Sequence, residues 1–480
     1  MSDAAFALIG FGALLTLIAL RAPIGVAMLV VGGAGYTYLS SWHALFSYMK
    51  TNSYHQFANY TLSVVPLFIL MGALAERSGI AAVLLRSAER ALGRYRGGLA
   101  MAVIGACTAF GAICGSSVAT TATFGRAALP ELLRLNYHGG FATGTIAVGG
   151  TLGILIPPSV ILVIYGIITE QNIAKLFQAA LIPGLLAALL YCLTITIRVR
   201  RRPELAPPRP PVGHEPSKRS WPLTISGLLL SILLAVQLIR GEWALGTVVA
   251  PAILAILVML LDAKVVPVLI IAFTVVGGIY GGVFTPTEGA SVGTVAMLVT
   301  GLVQRTLDWP GILRCLRQTA ETSGMIFIIL LGAEVFGAFL ALARLPSIAA
   351  ELVGGSGLSP MAVLVGILAF YIVLGAVMDE LAMILLTLPV FFPVIQGLDL
   401  GMAPDEVAIW FGILVLITVG IGLTAPPMGL NVFVVNSLAP GVTLPTIYRG
   451  VLPFVAADLF RLALIVVFPS IALWLVRLLA

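Results

Sequence analysis

The chain has 480 residues, 60% of them hydrophobic and only 10% charged, and its mean hydropathy is +1.10. Soluble domains are about one quarter charged, so this composition excludes a soluble enzyme and specifies an all-α polytopic membrane protein. The net charge of +6 is carried by basic residues clustered in short loops, which makes it a topology signal and excludes a nucleic-acid surface.

Residues 4–20 and 24–40 form a first helical pair, with Arg21 and Pro23 in the turn. The 4–20 stretch has no basic region ahead of it and reads as a helix of the mature protein, not a cleavable signal. Residues 42–60 are amphipathic and contain Trp and Tyr, which suits an arm lying along the bilayer surface. A short span over 62–76 follows, then a second amphipathic piece over 80–96. Arg77, Arg86, Arg90, Arg94 and Arg96 place that loop in the cytoplasm.

The stretch 107–159 organises the rest. Gly111, Gly115, Ser116 and Ser117 interrupt one apolar run, and Pro157-Pro158 interrupt the next. Proline carries no N–H, so carbonyls around Gly153–Pro157 lose their helical donors. In hydrocarbon such groups are tolerated only where they face protein or a wet cavity. The pattern predicts a re-entrant hairpin over about 99–130 and a broken helix over 141–168. A return crossing over 174–197 then ends in a basic loop, 198–222, with Arg198, Arg200, Arg201, Arg202, Arg209, Lys218 and Arg219. This loop and the 77–96 loop fall on one side only if 99–130 enters and returns.

After the loop, 223–262 reads as two extra membrane helices. The series then repeats over 263–480. FTPTEGASVGTVAMLV (284–299) echoes RAPIGVAMLV, and 308–322 is a second arm ahead of a span over 324–343. A second hairpin is predicted over about 360–395, a second broken helix over 407–436 around Pro426-Pro427, and a last crossing over 448–476. The first unit, 1–197, starts outside and the second inside, which makes the two units inverted repeats with a site near the midplane where they meet. Glu288, behind Thr285-Pro286-Thr287, reads as a helix cap. Glu334 has no obvious partner, because Arg344 lies ten residues on and off its helix face.

GSSVATTA, GILIPPS, GGVFTPTE, GAVMDE and GLTAPPMGLNVF stand in this order along the chain. The whole set resembles the large membrane subunit of TRAP transporters, the DctM type, over nearly the full length. The resemblance implies an elevator-type, multi-pass secondary transporter in the bacterial inner membrane, and the pattern of basic loops puts the N-terminus in the periplasm. It implies sodium as the coupling ion and no cofactor. Its cargo would be small organic anions, carboxylates, received from a periplasmic binding protein. It also implies a small four-helix membrane subunit as partner, of which no fused copy is expected at either end. The helices over 223–262 depart from the usual family pattern, in which the loop leads almost directly into the second repeat. A stand-alone ion-coupled carboxylate carrier, or an exporter needing no binding protein, is the alternative. An intramembrane enzyme is disfavoured: there is no HExxH, no GxSG pair and no His/Asp constellation in the spans. Nor do Cys107, Cys114, Cys192 and Cys315 form a CxxC pair that would suggest a zinc site or a disulfide framework.

The candidate site follows from the interruptions. Ser116, Ser117 and Thr120 supply hydroxyls at the first hairpin tip; small residues there also permit close packing, but a GSS tip facing a broken helix favours binding. Gly153, Pro157, Pro158 and Ser159 line the first break, and Thr424, Pro426, Pro427 and Asn431 the second. Carbonyls near Ile156 and Gly422, with those of Gly153 and the Ser117 and Thr424 hydroxyls, are hard ligands of the kind sodium accepts at half-helix ends. A kink alone would explain one Pro-Pro pair but not two at matching places. Asp379, which fits the family pattern, and its neighbour Glu380 stand in the second hairpin. A carboxylate at the bilayer centre costs ~2.5–3.5 kcal/mol, so each is a functional candidate.

Overall fold

The computed structural model describes residues 3–93, 95–207, 266–355 and 357–479. The predicted helices over 223–262, and Arg209, Lys218 and Arg219 of the basic loop, lie outside the described residues.

Every regular element among the described residues is helical. In the first half these are α1 (Asp3–Ala19), α2 (Ile24–Leu39), α3 (Trp42–Phe57), α4 (Val64–Arg77), α5 (Ile80–Leu92), α6 (Gly98–Cys114), α7 (Ser117–Arg134), α8 (Gly139–Leu155), α9 (Val160–Ile168) and α10 (Ile173–Arg201). The second half has α11 (Val266–Tyr280), α12 (Pro286–Val303), α13 (Trp309–Leu342), α14 (Leu345–Gly355) and α15 (Pro360–Gly375). It continues with α16 (Glu380–Gln396), α17 (Pro404–Gly422), α18 (Leu430–Leu438), α19 (Leu444–Val467) and α20 (Ser470–Leu478). Five helical stretches are long and apolar enough to cross a bilayer, and α8 with α9 makes a sixth candidate bent by 44°.

Arm and span differ between the halves. In the first half α3 ends at Phe57, and Asn59 accepts from the Thr61 amide to start a short 3-10 turn before α4. The second arm and span are one helix instead: α13 runs 34 residues from its Asp308 cap, about 51 Å at 1.5 Å per residue. Ser323 and Gly324 are too weak a break to interrupt it. At the other boundary α10 continues to Arg201, so three of the arginines predicted for the basic loop belong to its last turn, where they complement the helix dipole. Of these, Arg198 donates to the Gly450 carbonyl and lies over the Phe141 ring.

The core is made by the first limbs of the two broken helices. From Gly140 to Leu155 every residue of α8 is buried, as is α17 from Val407 to Gly422. A helix that is apolar all round can satisfy its surface only in this way. Tyr165 on α9 donates to the Ala408 carbonyl at 2.6 Å and Trp410 to that of Ile465 at 3.0 Å, tying α17 to α9 and α19. The outer helices instead present apolar rows such as Leu185, Leu189 and Leu193, as lipid contact requires. Because lipid is as apolar as leucine, helices associate here by close packing at small residues. A Cβ on Gly450 would collide with the Gly140 carbonyl, and one on Gly332 would stand 2.4 Å from the Gly25 carbonyl. Those contacts seat α8 on α19 and α2 on α13.

At the start of α12, Thr285 and Glu288 close a capping box, each side chain accepting from the other's backbone N–H. That is the structural role the sequence suggested for Glu288. Glu334 faces α3, where it accepts from the Tyr48 hydroxyl at 3.5 Å.

Candidate functional site in two helix breaks

The first break is a closed packing problem. The chain leaves α6 through Gly115 at φ 63°, a left-handed conformation that glycine adopts without strain. A Cβ there would also stand 2.8 Å from the Pro158 carbonyl, so the hairpin tip rests directly on the α8–α9 break. Ser116 starts α7, its Oγ accepting from the Ala119 amide as an N-cap should. Gly153 lets α8 press on this tip: its missing side chain would meet Thr120 Oγ1 at 2.4 Å and the Ser116 carbonyl at 2.5 Å. Thr120 Oγ1 donates to that same carbonyl. Residues 151–160 are buried throughout. Pro157 and Pro158 deny the Gly153 and Ile154 carbonyls their i+4 donors. Ser159 Oγ is buried with no partner among the described residues.

The second break is built alike on its own hairpin. A Cβ on Gly422 would stand 2.4 Å from the carbonyl carbon of Gly375, at the end of α15. The Met428 amide donates to the Ala376 carbonyl at 3.1 Å. Asp379 is the N-cap of α16, its Oδ2 accepting from the Ala382 amide at 3.3 Å. Glu380 follows as the first helical residue, its Oε2 buried and unpartnered. No hydrogen bond among the described residues joins either carboxylate to Ser116, Ser117 or Thr120. Thr424 is buried and donates into its own helix end, to the carbonyls of Ile421 and Gly420. Not every carbonyl here is open, as the prolines alone suggested: that of Leu423 accepts from the Asn431 amide at 3.0 Å. Pro426, Pro427 and Met428 are exposed.

Asn431 joins the two breaks. Its Nδ2 donates to Ser117 Oγ at 2.8 Å and to the Ala147 carbonyl at 3.0 Å, while its Oδ1 is left buried and unpartnered. The first turn of α18 is thus pinned to the first hairpin and to α8, across 314 residues of sequence from Ser117.

Sequence reasoning missed a second network beside α8. Thr151 Oγ1 lies 3.2 Å from the Tyr191 hydroxyl, which donates to Asp458 Oδ2 at 2.6 Å. Arg461 Nη2 stands 2.8 Å from Asp458 Oδ1, close enough for an ion pair but without hydrogen-bond alignment. Both charged side chains are almost wholly buried, at 0% and 2% exposure. Asp458 and Arg461, well inside the predicted last crossing, were the available signal, since charge at membrane depth is rare and is normally paired.

Known proteins give the comparison its name. The family described as the tripartite ATP-independent periplasmic transporter, DctM component, matches residues 11–471. The C4-dicarboxylate TRAP transporter large permease protein DctM of Pseudomonas aeruginosa is 32% identical over 416 residues, 86% of either chain. An ectoine TRAP transporter large permease, TeaC of Halomonas elongata, is 31% identical over 86% of either chain. The sialic acid permease SiaM of Vibrio cholerae is 30% identical over 87% of this chain and 86% of its own. In fold, the chain resembles the solved structure of the YdaH transporter of Alcanivorax borkumensis, with a TM-score of 0.59 at 17% identity over 90% of both chains. A multi-pass helical protein with two glycine-lined breaks, matched by that family along nearly its whole length, is a TRAP transporter large permease: the chain belongs to the DctM family.

Proposed function

We propose that this permease carries small organic anions, carboxylates above all, inward across the bacterial inner membrane in symport with sodium. The observation that carries this reading is the Asn431 side chain, which binds the second break to the first hairpin tip. Oxygens without donors line the two breaks: Ser159 Oγ and Asn431 Oδ1, and the Gly153, Ile154 and Gly422 carbonyls, whose helical donors the prolines remove. Neutral oxygens at the C-terminal ends of α8 and α17 suit a hard monovalent cation, because helix dipoles bring partial negative charge there. Just beyond, α9 begins without a side-chain cap, leaving first-turn N–H groups for a carboxylate; α18 also lacks a side-chain cap, but its Asn431 and Val432 amides are taken by the Leu423 and Gly429 carbonyls.

The two halves then act as inverted repeats, and the site crosses with them in an elevator movement. A periplasmic binding protein delivers the anion, a small four-helix subunit completes the permease, and the N-terminus lies in the periplasm. Relatives are named for C4-dicarboxylates, ectoine and sialic acid, so the cargo varies within the family. Each sodium ion entering contributes ~2.3 kcal/mol per 100 mV of membrane potential.

The test is uptake in proteoliposomes. It should require an inward sodium gradient and the cognate binding protein. Equal uptake on a proton gradient without sodium overturns the coupling, and uptake without any binding protein would support a stand-alone carrier instead. Cysteines at 205–215 should label only from the cytoplasm; periplasmic labelling overturns the inverted arrangement.

A further inference from the structure

The hairpin tip is held against α4 as well as against α8. A Cβ on Gly72 would stand 2.8 Å from the Cys114 carbonyl. One turn further along α4 comes Glu76, and beyond Ser117 and Thr120 on α7 come Thr123 and Arg126. Between these two helices and the first turns of α13 lies a cavity of about 400 Å³. Its polar lining is Glu76, Arg77, Thr123, Arg126, Arg314 and Gln318, three cations against one anion. Glu76 takes Arg126 Nη2 at 2.6 Å, and Arg314 reaches only a distant Asp308 at 3.9 Å. Arg77 has no acidic partner within ion-pair distance among the described residues.

We propose that this cavity is a second anion site, a carboxylate station next to the hairpin tip, in which Glu76 occupies Arg126 until a free carboxylate displaces it. Guanidinium groups bind carboxylates through paired, charge-assisted hydrogen bonds. The site has the size of a small-molecule pocket and an excess of two positive charges. An anion leaving the tip along α7 passes Thr123 and meets Arg126 first. Only the identity of the natural anion rests on the organic-anion reading above; the cavity's charge and lining do not.

The probe is succinate and the reporter Gln318→Cys, an exposed position on the cavity rim. Cys107, Cys114 and Cys315 are buried and Cys192 is half-buried; in a Cys192→Ser background, maleimide at residue 318 can be followed by peptide mass spectrometry. The protein is held in phosphatidylcholine nanodiscs without sodium or binding protein, so the assay can fail while uptake succeeds, and the reverse. Succinate should slow labelling, and 1,4-butanediol should not. Arg126→Gln or Arg314→Gln should each raise the half-protecting succinate concentration roughly tenfold, the size of one lost charge-assisted hydrogen bond. Glu76→Gln should lower it, an improvement that damage to the fold cannot mimic. Equal protection by the diol, or a succinate dependence unmoved by all three substitutions, overturns the site.

Discussion

The two proline-broken helices carry the same dipeptide and differ in what surrounds it. At the first break, residues 151–160 are buried on every side and only four residues separate α8 from α9. At the second, seven residues separate α17 from α18, and Pro426, Pro427 and Met428 are exposed. Both breaks are closed on their own hairpin by glycine, Gly153 and Gly422. The glycine contacts therefore belong to the shared architecture. The prolines set where each helix breaks, and the neighbours decide whether the break opens onto protein or outward.

The shared part is where substitution should cost most. Gly422→Ala forces a Cβ against the Gly375 backbone, which cannot rotate away. Gly153→Ala meets Thr120 Oγ1, which can turn, and the Ser116 carbonyl, which cannot. Both should abolish uptake and destabilise the purified protein by ~1–3 kcal/mol, with Gly422→Ala the worse. Full activity in either variant would show that hairpin and break do not close as one unit.

Next in size is Ser117→Ala, which removes one of the two acceptors of Asn431. A buried N–H left without a partner costs ~1–3 kcal/mol. Thermal stability should fall, and the sodium concentration for half-maximal uptake should rise. Thr424→Ala should do less, because its hydroxyl donates only within its own helix end.

Pro157→Ala and Pro426→Ala return an N–H to the helix and so offer the Gly153 and Gly422 carbonyls a donor. Expression should hold, and half-saturating sodium should rise, more for the buried Pro157. Unchanged sodium curves across Ser117→Ala, Thr424→Ala and both proline variants would move the ion elsewhere, with Asp379 the next candidate. The mildest test leaves transport nearly intact: Met428→Cys, at a side chain 54% exposed, should react with a polar maleimide while Ser159→Cys does not. Equal reaction rates would remove the contrast between the breaks.

What was legible in the sequence was punctuation. Glycine and proline act through the backbone of their own segment, so GSS, both Pro-Pro pairs and the Thr285–Glu288 box could be read where they stood. Contacts carried by ordinary side chains over long separations could not. Asn431 to Ser117 spans 314 residues and Tyr191 to Asp458 spans 267, and nothing in either neighbourhood names its partner. The carbonyls near Gly422 are not all open for a related reason: proline removes the helical donor of Leu423, but the folded chain brings the Asn431 amide to replace it. A helix of 34 residues was read as arm plus span because amphipathicity changes along it, although no breaker of sufficient strength stands between the two.

The Asp458–Arg461 pair bears on how the chain enters the membrane during synthesis. A lone charge at the centre of an inserting helix costs ~2.5–3.5 kcal/mol. Here the two charges lie three residues apart on one helical face, so α19 brings its own counter-ion and the pair crosses as a neutral dipole. Insertion of α19 therefore need not wait for a charged partner on another helix. Tyr191, made 267 residues earlier on α10, supplies only a hydroxyl, and can dock after both helices are in the bilayer.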